Sequence, residues 1–429
     1  MSAPSSHRWP ATAIVTAVKS GTITCEAVAR DCLDHISVRD PQIGAWQTIH
    51  PDDVIAQARK LDAGNKRGPL IGVPIGVKDV IDTFDLPTAY GSPIYRAHQP
   101  ACDAACVAQM RAAGAIIMGK TVTTEFATLH PGKTRNPHRL EHTPGGSSSG
   151  SAAAVADFMV PAAFGTQTSS SIVRPAAYCG VVGYKPTFNR INRAGLKPLA
   201  ESLDTIGVLT RTVPDAALIV GTLCGAAAID FSQTAHLTPR IGFCRTPQWN
   251  NADQATQHGL ESLAVRLAAC GATVSTLDLP QEYDRLADAQ RTIFAFETFR
   301  SLSHERLCHP EMISTNLTAR LNVGSTTSHE DYIAAHALAM HCQQRLDDVF
   351  KTIDVLLVPS ATGEAPRDLA QTGNPVLGLI WTLLHTPTVT LPLLRGPTDL
   401  PLGAQFIGNR GTDERLLLVV DWVLQKLLR

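Results

Sequence analysis

Residues 145–171 read GGSSSGSAAAVADFMVPAAFGTQTSSS, a texture that no other part of the chain shares. Small residues dominate this stretch, and serine occupies seven of its positions, 147, 148, 149, 151, 169, 170 and 171. Side chains this small cannot fill a core by bulk, but they allow two backbones to approach closely. The stretch therefore either packs tightly against neighbouring backbone or builds a polar pocket with exposed amide groups.

A lysine ends an apolar run upstream of the small-residue stretch. Residues 71–78 read IGVPIGVK, which is typical of a buried strand, and Asp79 follows Lys78. Two interpretations are open: Lys78 forms a structural ion pair with Asp79, or it is desolvated and serves as a base. A serine nucleophile needs a proton acceptor, and the small-residue stretch contains no histidine. A buried lysine can take that role because burial lowers its pKa, which favours the second interpretation.

The rest of the chain alternates helical and strand-like segments. Thr24 is predicted to cap a helix over 24–36, and Asp103 to cap a helix that ends at Gly114. Strand-like runs include those over 353–360, 388–393 and 400–408. This alternation predicts an α/β fold, in which a largely parallel or mixed sheet is covered by helices on both faces.

The composition excludes several classes of function. Lys and Arg number 37 and Asp and Glu 38, a net charge of −1, which leaves no electrostatic footprint for nucleic acid or for a membrane surface. No run reaches the roughly 18 apolar residues of a membrane span, and the N-terminus lacks the apolar region of a secretory signal. The ten cysteines show no zinc-like CxxC pair and are expected to be free thiols. We therefore expect a cytoplasmic protein without nucleic-acid or membrane partners.

Three short motifs offer competing interpretations. Gly114–Thr121 matches the P-loop pattern, but a helix precedes it and the residues between the glycines read as a strand, so the match is attributed to chance. Gly146–Gly150 matches GxSxG and would make Ser148 the nucleophile of an α/β-hydrolase-type esterase, although no strand precedes it. The HExxxH sequence at 304–309 is one residue too long for a zinc site and predicts a solvated helix face.

Several segments, in one consistent order, resemble the amidase signature family. They are GPLIGVPIGVKD (68–79), DAACVAQMRAAGAIIMGKTVTTEFA (103–127), TRNPH…TPGGSSSGS (134–151), GTQTSSSIVRPAAYCGVVGYKPT (165–187) and SLDTIGVLTRTVPDAAL (202–218). Weaker similarity continues to the helix near Asp413. The resemblance implies one α/β/α domain with a mixed sheet, the amidase signature fold. It also implies hydrolysis of a small-molecule amide without a metal ion or an organic cofactor.

The resemblance further implies a Ser–cis-Ser–Lys triad. By position in the motifs, Lys78 is the base, Ser147 is the bridging serine that follows a cis peptide bond, and Ser171 is the nucleophile. The oxyanion hole would be formed by backbone N–H groups of Thr168, Ser169, Ser170 and Ser171.

The chain departs from the family pattern around the nucleophile. The common pattern is GTDTGGS, whereas Gln167 here replaces an aspartate, and Ser169 and Ser170 replace two glycines. Arg174 lies three residues after the nucleophile, an arrangement that resembles malonamidase-type enzymes, in which this arginine binds a substrate carboxylate. We therefore expect Arg174, Gln167 and Thr166 to bind a small amide that carries a second carboxylate. The alternative is that Arg174 pairs with a structural acid.

Two other functions stay open at this point. The chain could be the glutamine-amidase subunit of a tRNA-dependent amidotransferase, although it is short for that role, or a non-catalytic member that binds an amide without cleaving it. The resemblance implies a homodimer with the N-terminal helices near the interface. We expect a single domain over 1–429, with an N-terminal helical part (1–65), a signature core (66–225) and a C-terminal part that shapes the substrate pocket (226–429).

Overall fold

The computed structural model describes residues 5–64 and 68–427, so the predicted boundary between 65 and 66 lies outside the described residues. Within them the helices are α1 Ala11–Lys19, α2 Cys25–Ile43, α3 Pro51–Ala63, α4 Ala105–Ala112, α5 Ser149–Ala156, α6 Val173–Cys179, α7 Val213–Cys224, α8 Gln254–Ala269, α9 Leu286–Ser301, α10 Ser303–Cys308, α11 Thr315–Thr326, α12 His329–Val349, α13 Leu379–Leu383 and α14 Asp413–Leu427. The strands are β1 Trp46–Thr48, β2 Pro74–Lys78, β3 Ile116–Thr121, β4 Ala162–Gln167, β5 Val182–Lys185, β6 Thr205–Thr210, β7 Arg240–Cys244, β8 Thr273–Leu277, β9 Val355–Pro359, β10 Thr388–Arg395 and β11 Pro401–Ile407.

The eleven strands of the described residues form one sheet, in the order β1-β3-β2-β4-β6-β5-β10-β11-β9-β7-β8. Strands β3, β2 and β4 run parallel to one another, and so do β9, β7 and β8. The pairings that join these two groups, through β6, β5, β10 and β11, are all antiparallel. The mixed sheet that the sequence predicts is therefore confirmed.

Burial along the strands shows that the sheet is covered on both faces. Every residue of β2, β3, β4, β6, β9 and β11 is buried. Because successive side chains of a strand point to opposite faces, complete burial requires cover on both sides. Helices α5, α6 and α7 pack against the central strands, whereas the edge strand β8 has no buried residue. Within the described residues, no helix is long and apolar enough to cross a bilayer.

The small residues around α5 allow close packing of backbone. A Cβ atom on Gly150 would lie 2.2 Å from the carbonyl oxygen of Ala45, so only glycine fits there. Gly145 has a φ of +79°, and a Cβ atom on it would lie 2.9 Å from the Cα of Pro175. Of the two possibilities for the small-residue stretch, close packing of backbone applies to helix α5. The polar pocket with exposed amide groups applies to the loop between β4 and α6.

Strands β2 and β4 bring Lys78 and the serine-rich loop after Gln167 to one edge of the sheet. They are parallel neighbours, with Ile75 opposite Ala162 and Gly76 opposite Ala163. Lys78, the last residue of β2, therefore lies beside the end of β4. Crevices at the carboxyl ends of parallel strands are the usual location of ligand sites in open α/β sheets.

The P-loop-like segment is part of the sheet and is not a nucleotide site. Its central residues form β3, and Lys120 is completely buried there. The Lys120 ammonium group donates to a backbone carbonyl and a threonine hydroxyl and lies 3.7 Å from the carboxylate of Asp79. Asp79 therefore pairs with Lys120, which removes the ion-pair interpretation of Lys78.

The predicted solvated face at 304–309 is wrong for Glu305, which is buried. Its carboxylate accepts hydrogen bonds from the Tyr95 hydroxyl at 2.7 Å and from Lys197 Nζ at 2.5 Å. Both hydrogen bonds go to Oε1, whereas the buried Oε2 has no partner among the described residues, and neither Tyr95 nor Lys197 is near Glu305 in sequence. Among residues 5–64 and 68–427, no group of three or more His, Cys, Asp or Glu side chains could hold a metal ion.

Candidate active site

Lys78 is completely buried and is surrounded by hydroxyl and carbonyl oxygens. Its Nζ lies 2.7 Å from Ser147 Oγ, 2.7 Å from Thr166 Oγ1 and 3.4 Å from the Thr166 carbonyl oxygen. Burial lowers the pKa of the Lys78 ammonium group well below its usual range, and the negative charge of Asp204 raises it only in part. Burial thus favours the neutral amine, the form that can accept a proton from Ser147.

Of the two predicted serines, Ser147 lies just before α5, and Ser171 lies in the loop between β4 and α6. The peptide bond between Gly146 and Ser147 is cis, as the resemblance implied, and Ser147 is fully buried. Ser171 is 8% exposed, and its carbonyl oxygen accepts from the backbone N–H of Ser148 at 3.3 Å. Ser171 Oγ makes no hydrogen bond with a described residue. The Lys78–Ser147 half of the relay is thus formed, and the Ser147–Ser171 half stays a prediction.

Side chains from distant segments hold the loop between β4 and α6. Thr168 Oγ1 donates to Asp204 Oδ1 at 2.5 Å. Gln290 Nε2 donates to the Thr168 carbonyl at 3.0 Å, and Thr382 Oγ1 donates to the Ser169 carbonyl at 2.7 Å. These three contacts orient consecutive peptide groups of the loop, including those predicted to form the oxyanion hole.

The two serines that replace glycines fit this loop without backbone strain. Neither Ser169 nor Ser170 has a positive φ, so neither needs the conformation that favours glycine. The backbone N–H groups of residues 169–171 donate to no described residue. They are therefore free to meet an oxyanion, as the predicted role of this loop requires.

Gln167 and Thr166 use their polar atoms inside the protein. The Oε1 atom of Gln167 accepts from the backbone N–H groups of Ile172 and Val173, at 2.9 and 3.2 Å, and Nε2 donates to Thr382 Oγ1 at 3.0 Å. The side chain thereby satisfies the first N–H groups of α6, and the hydroxyl of Thr166 is a partner of the buried lysine. This arrangement assigns both residues to support of the site, and their contact with substrate stays a prediction.

Arg174 is buried, and its guanidinium group meets backbone carbonyls instead of an acid. Nη1 donates to the Gly373 carbonyl at 2.8 Å, and Nη2 donates to the Gly146 carbonyl at 2.7 Å and to Thr372 Oγ1 at 3.2 Å. Nε has no partner, and burial lowers the pKa of Arg174 to about 10. The contacts of Arg174 among the described residues are with carbonyl and hydroxyl oxygens and not with a structural acid, and its binding of a substrate carboxylate stays a prediction. The Gly146 carbonyl belongs to the peptide bond before Ser147, so Arg174 holds the backbone next to this serine.

Sequence reasoning missed three residues that hold the nucleophile loop: Asp204, Gln290 and Thr382. Asp204 is buried, which raises its pKa to about 6, and it also accepts from the backbone N–H groups of Leu199 and Ala200. An aspartate directly before an apolar strand was the available signal for it. The other two contact the loop across 122 and 213 residues of sequence, and no local motif marks them.

Ser148, the nucleophile of the esterase interpretation, is fully buried. Its Oγ donates to the Thr166 carbonyl at 3.3 Å and accepts from the Thr166 N–H at 3.2 Å. A buried hydroxyl group that both donates and accepts a hydrogen bond within the protein is not available to a substrate. The structure therefore gives no support to a nucleophile elbow at Ser148.

A cavity of about 530 Å³ opens beside Ser169, between α9, α11 and the segment 374–379. Arg320, on α11, lines this cavity, and its guanidinium carbon lies 4.8 Å from the centre of the Phe294 ring. Arg320 makes no hydrogen bond or ion pair with any residue that the structure describes, and burial lowers its pKa. The cavity thus holds a positive charge without a protein counter-charge, next to the nucleophile loop.

Comparisons with known proteins show which family and which solved structures the chain resembles. The family model described as Amidase matches residues 27–417. One subunit of the glutamyl-tRNA(Gln) amidotransferase of Symbiobacterium thermophilum is 32% identical, over 96% of this chain and 95% of its own length. The structure of a peptide amidase from Stenotrophomonas maltophilia matches with a TM-score of 0.85 and 26% identity, covering 98% of this chain and 97% of that one. A bacterial aryl acylamidase of the amidase signature family matches with a TM-score of 0.87 and 25% identity, covering 99% and 97%.

The chain belongs to the Amidase family, because the family model spans most of its length. Its large mixed sheet flanked by helices is the architecture of the amidase signature enzymes among its structural neighbours. The chain is accordingly an amidase, a hydrolase of carbon–nitrogen amide bonds.

Proposed function

We propose that the protein hydrolyses a small carboxamide to a carboxylate and ammonia through an acyl-enzyme on Ser171. The contact of 2.7 Å between the buried Lys78 amine and Ser147 Oγ carries this proposal. A buried amine that meets a serine hydroxyl and no acid is suited to accept a proton, because burial disfavours its charged form.

Acylation moves one proton in each direction through Ser147. Neutral Lys78 takes the Ser147 proton as Ser147 takes the proton of Ser171, and Ser171 Oγ forms a bond to the substrate carbonyl carbon. The N–H groups of residues 168–171 stabilise the oxyanion, a contribution of about 3–4 kcal/mol per donor in well-studied hydrolases. The proton then returns through Ser147 to the amide nitrogen, the C–N bond breaks and ammonia leaves.

Deacylation uses the same groups with water in place of Ser171. A water molecule attacks the acyl carbon and gives a proton to the Ser147–Lys78 pair. The tetrahedral intermediate collapses, the bond to Ser171 Oγ breaks, and the proton returns to Ser171. The carboxylic acid product ionises in solvent, and the enzyme is restored.

The charge in the cavity supports a substrate that carries a second carboxylate. Arg174, the predicted ligand of that carboxylate, also donates to the carbonyls of Gly146 and Gly373, and its Nε has no partner among the described residues. Arg320 lines the cavity beside the nucleophile loop and has no counter-charge among the described residues. An arginine binds a carboxylate through two parallel hydrogen bonds, so Arg320 suits this role.

Ammonia release from paired substrates tests this function. Succinamate and butyramide have the same chain length, and only succinamate carries a carboxylate. We expect turnover of succinamate, and Arg320→Gln should raise its KM by roughly 10- to 100-fold with little effect on butyramide, since a charged hydrogen bond is lost. Arg266→Gln, at an exposed position of α8, is the matched control. Equal effects of Arg320→Gln on both substrates would return Arg320 to a structural role.

A second candidate function rests on the 32% identity to one subunit of a glutamyl-tRNA(Gln) amidotransferase. In this role the same site would release ammonia from glutamine inside a complex. Expression in the native host, followed by affinity purification, distinguishes the two roles. Stoichiometric partner subunits together with tRNA-dependent glutamine hydrolysis would favour the amidotransferase. Turnover of small amides by the isolated chain would favour the stand-alone amidase and also exclude a non-catalytic member.

A further inference from the structure

The hydroxyl group of Ser169 accepts one hydrogen bond from the protein and donates none to a described residue. Ser169 Oγ accepts a hydrogen bond from Gln290 Nε2 at 3.1 Å, and Ser169 lines the cavity of about 530 Å³. A serine hydroxyl group is one donor and two acceptors. Ser169 Oγ donates to no residue that the structure describes, so its hydrogen is left for whatever occupies the cavity.

Gln290 holds this hydroxyl group in place. The Gln290 side chain is 1% exposed, and its Nε2 group donates both to the Thr168 carbonyl at 3.0 Å and to Ser169 Oγ. The Ser169 carbonyl is fixed in turn by Thr382 Oγ1. With its backbone and its oxygen both held, Ser169 can turn its hydrogen only away from Gln290.

Ser170 shows that a hydroxyl group in this loop does not face the cavity by default. Its Oγ is buried without a partner, and a Cβ atom on Gly378 would lie 2.6 Å from it. The two adjacent serines therefore have different surroundings. Ser170 is packed against the backbone of Gly378, whereas Ser169 is held at the wall of the cavity.

We propose that Ser169 Oγ–H donates a hydrogen bond to the substrate's second carboxylate and thereby takes part in substrate selection. This inference rests on the proposed function and adds to it a neutral donor in the cavity that Arg320 also lines. Gln290 is a positioning residue, because it reaches the substrate only through Ser169. A glycine at position 169 would have no such donor.

Binding of the two reaction products tests the proposal without turnover. Succinate and butyrate differ in the second carboxylate, and calorimetry gives the Kd of each. Ser169→Ala should weaken succinate binding by roughly tenfold or more and leave butyrate unchanged, because one hydrogen bond to a charged group is lost. Ser169→Thr, which keeps the hydroxyl group, should retain most of the preference. Ser325→Ala, at an exposed position of α11, is the matched control.

Every other outcome overturns the inference. An equal loss for both ligands would mean that Ser169 only supports the loop, and an unchanged ratio would mean that its hydroxyl group does not reach the ligand. Failure of the wild-type chain to bind succinate would also contradict it. Thermal unfolding of each variant shows whether the fold is retained. Because ammonia release is measured separately, failure of the amidase proposal is recorded apart from failure of this one.

Discussion

Three lysines, Lys78, Lys120 and Lys185, are fully buried at or next to the ends of strands, and their surroundings differ. Lys120 pairs with Asp79, and Lys185 donates to two backbone carbonyls. Lys78 is the one of the three whose amine contacts a serine hydroxyl. The sequence analysis attributes the P-loop match around Lys120 to chance, and the atoms around the three amines distinguish Lys78, the proposed base, from the two structural lysines.

The pH dependence of kcat/KM follows from the state of Lys78. The neutral amine is the active form, so activity should rise with pH and reach a plateau once Lys78 has lost its proton. Because burial lowers the pKa of Lys78, this plateau should begin well below pH 10.5, the ordinary pKa of lysine. A profile that is flat from mildly acidic to strongly alkaline pH would contradict the mechanism.

Asp204 gives a second test of the same titration. Its negative charge raises the pKa of Lys78, so Asp204→Asn should move the rise in kcat/KM to lower pH. The variant also changes the contact with Thr168, so its thermal unfolding is measured beside the pH profile. A profile that keeps its midpoint would show that the charge of Asp204 does not act on Lys78.

At the level of secondary-structure elements, short sequence patterns predicted some helix boundaries. They did not predict contacts between elements that are distant in sequence. Thr24 caps α2 as predicted, with its Oγ1 accepting from the Ala27 N–H at 3.1 Å. Asp103 does not cap α4, because its carboxylate binds the backbone N–H of Phe84 and the guanidinium group of Arg111. A cap within a few residues of the helix start can be inferred from sequence spacing. Whether another group binds the capping side chain instead depends on the tertiary fold.

The stability of the first turn of α6 should depend on the side chain of Gln167. Gln167→Ala removes the acceptor of two buried backbone N–H groups, those of Ile172 and Val173. We expect a loss of about 1–3 kcal/mol in the free energy of unfolding, and lower kcat because the nucleophile precedes this helix. Chemical denaturation measures the first effect and amide hydrolysis the second. Gln371→Ala, at an exposed position, should change neither, and an equally stable Gln167→Ala would refute the capping role.

Across the whole molecule, the site joins the two halves of the chain. Strands β2 and β4 supply the triad end of the site, while Gln290, Arg320 and Thr382 come from the segment 226–429 that was predicted to shape the pocket. The resemblance names the residues of the proposed triad because they lie in contiguous motifs. It does not name the supporting side chains, since their role exists only after the sheet has brought distant segments together.

The oligomeric state is a property of the whole molecule, and the family resemblance implies a homodimer. Light scattering should then give twice the chain mass of 45.9 kDa. Val38 on α2 is a large apolar side chain that is 69% exposed, so Val38→Glu should shift the population toward monomer if the N-terminal helices form the interface. A monomeric wild-type chain would contradict the prediction, and a dimer unaffected by Val38→Glu would place the interface elsewhere.

Labelling with a fluorophosphonate tests the triad most directly, because it needs no knowledge of the substrate. An activated serine displaces fluoride and forms a stable bond to phosphorus, and peptide mapping locates the adduct. The account predicts one adduct on Ser171, no adduct in Ser171→Ala, and labelling slowed by several orders of magnitude in Lys78→Ala and Ser147→Ala, with the fold checked by circular dichroism. An adduct on Ser148, or undiminished labelling of Lys78→Ala, would contradict it.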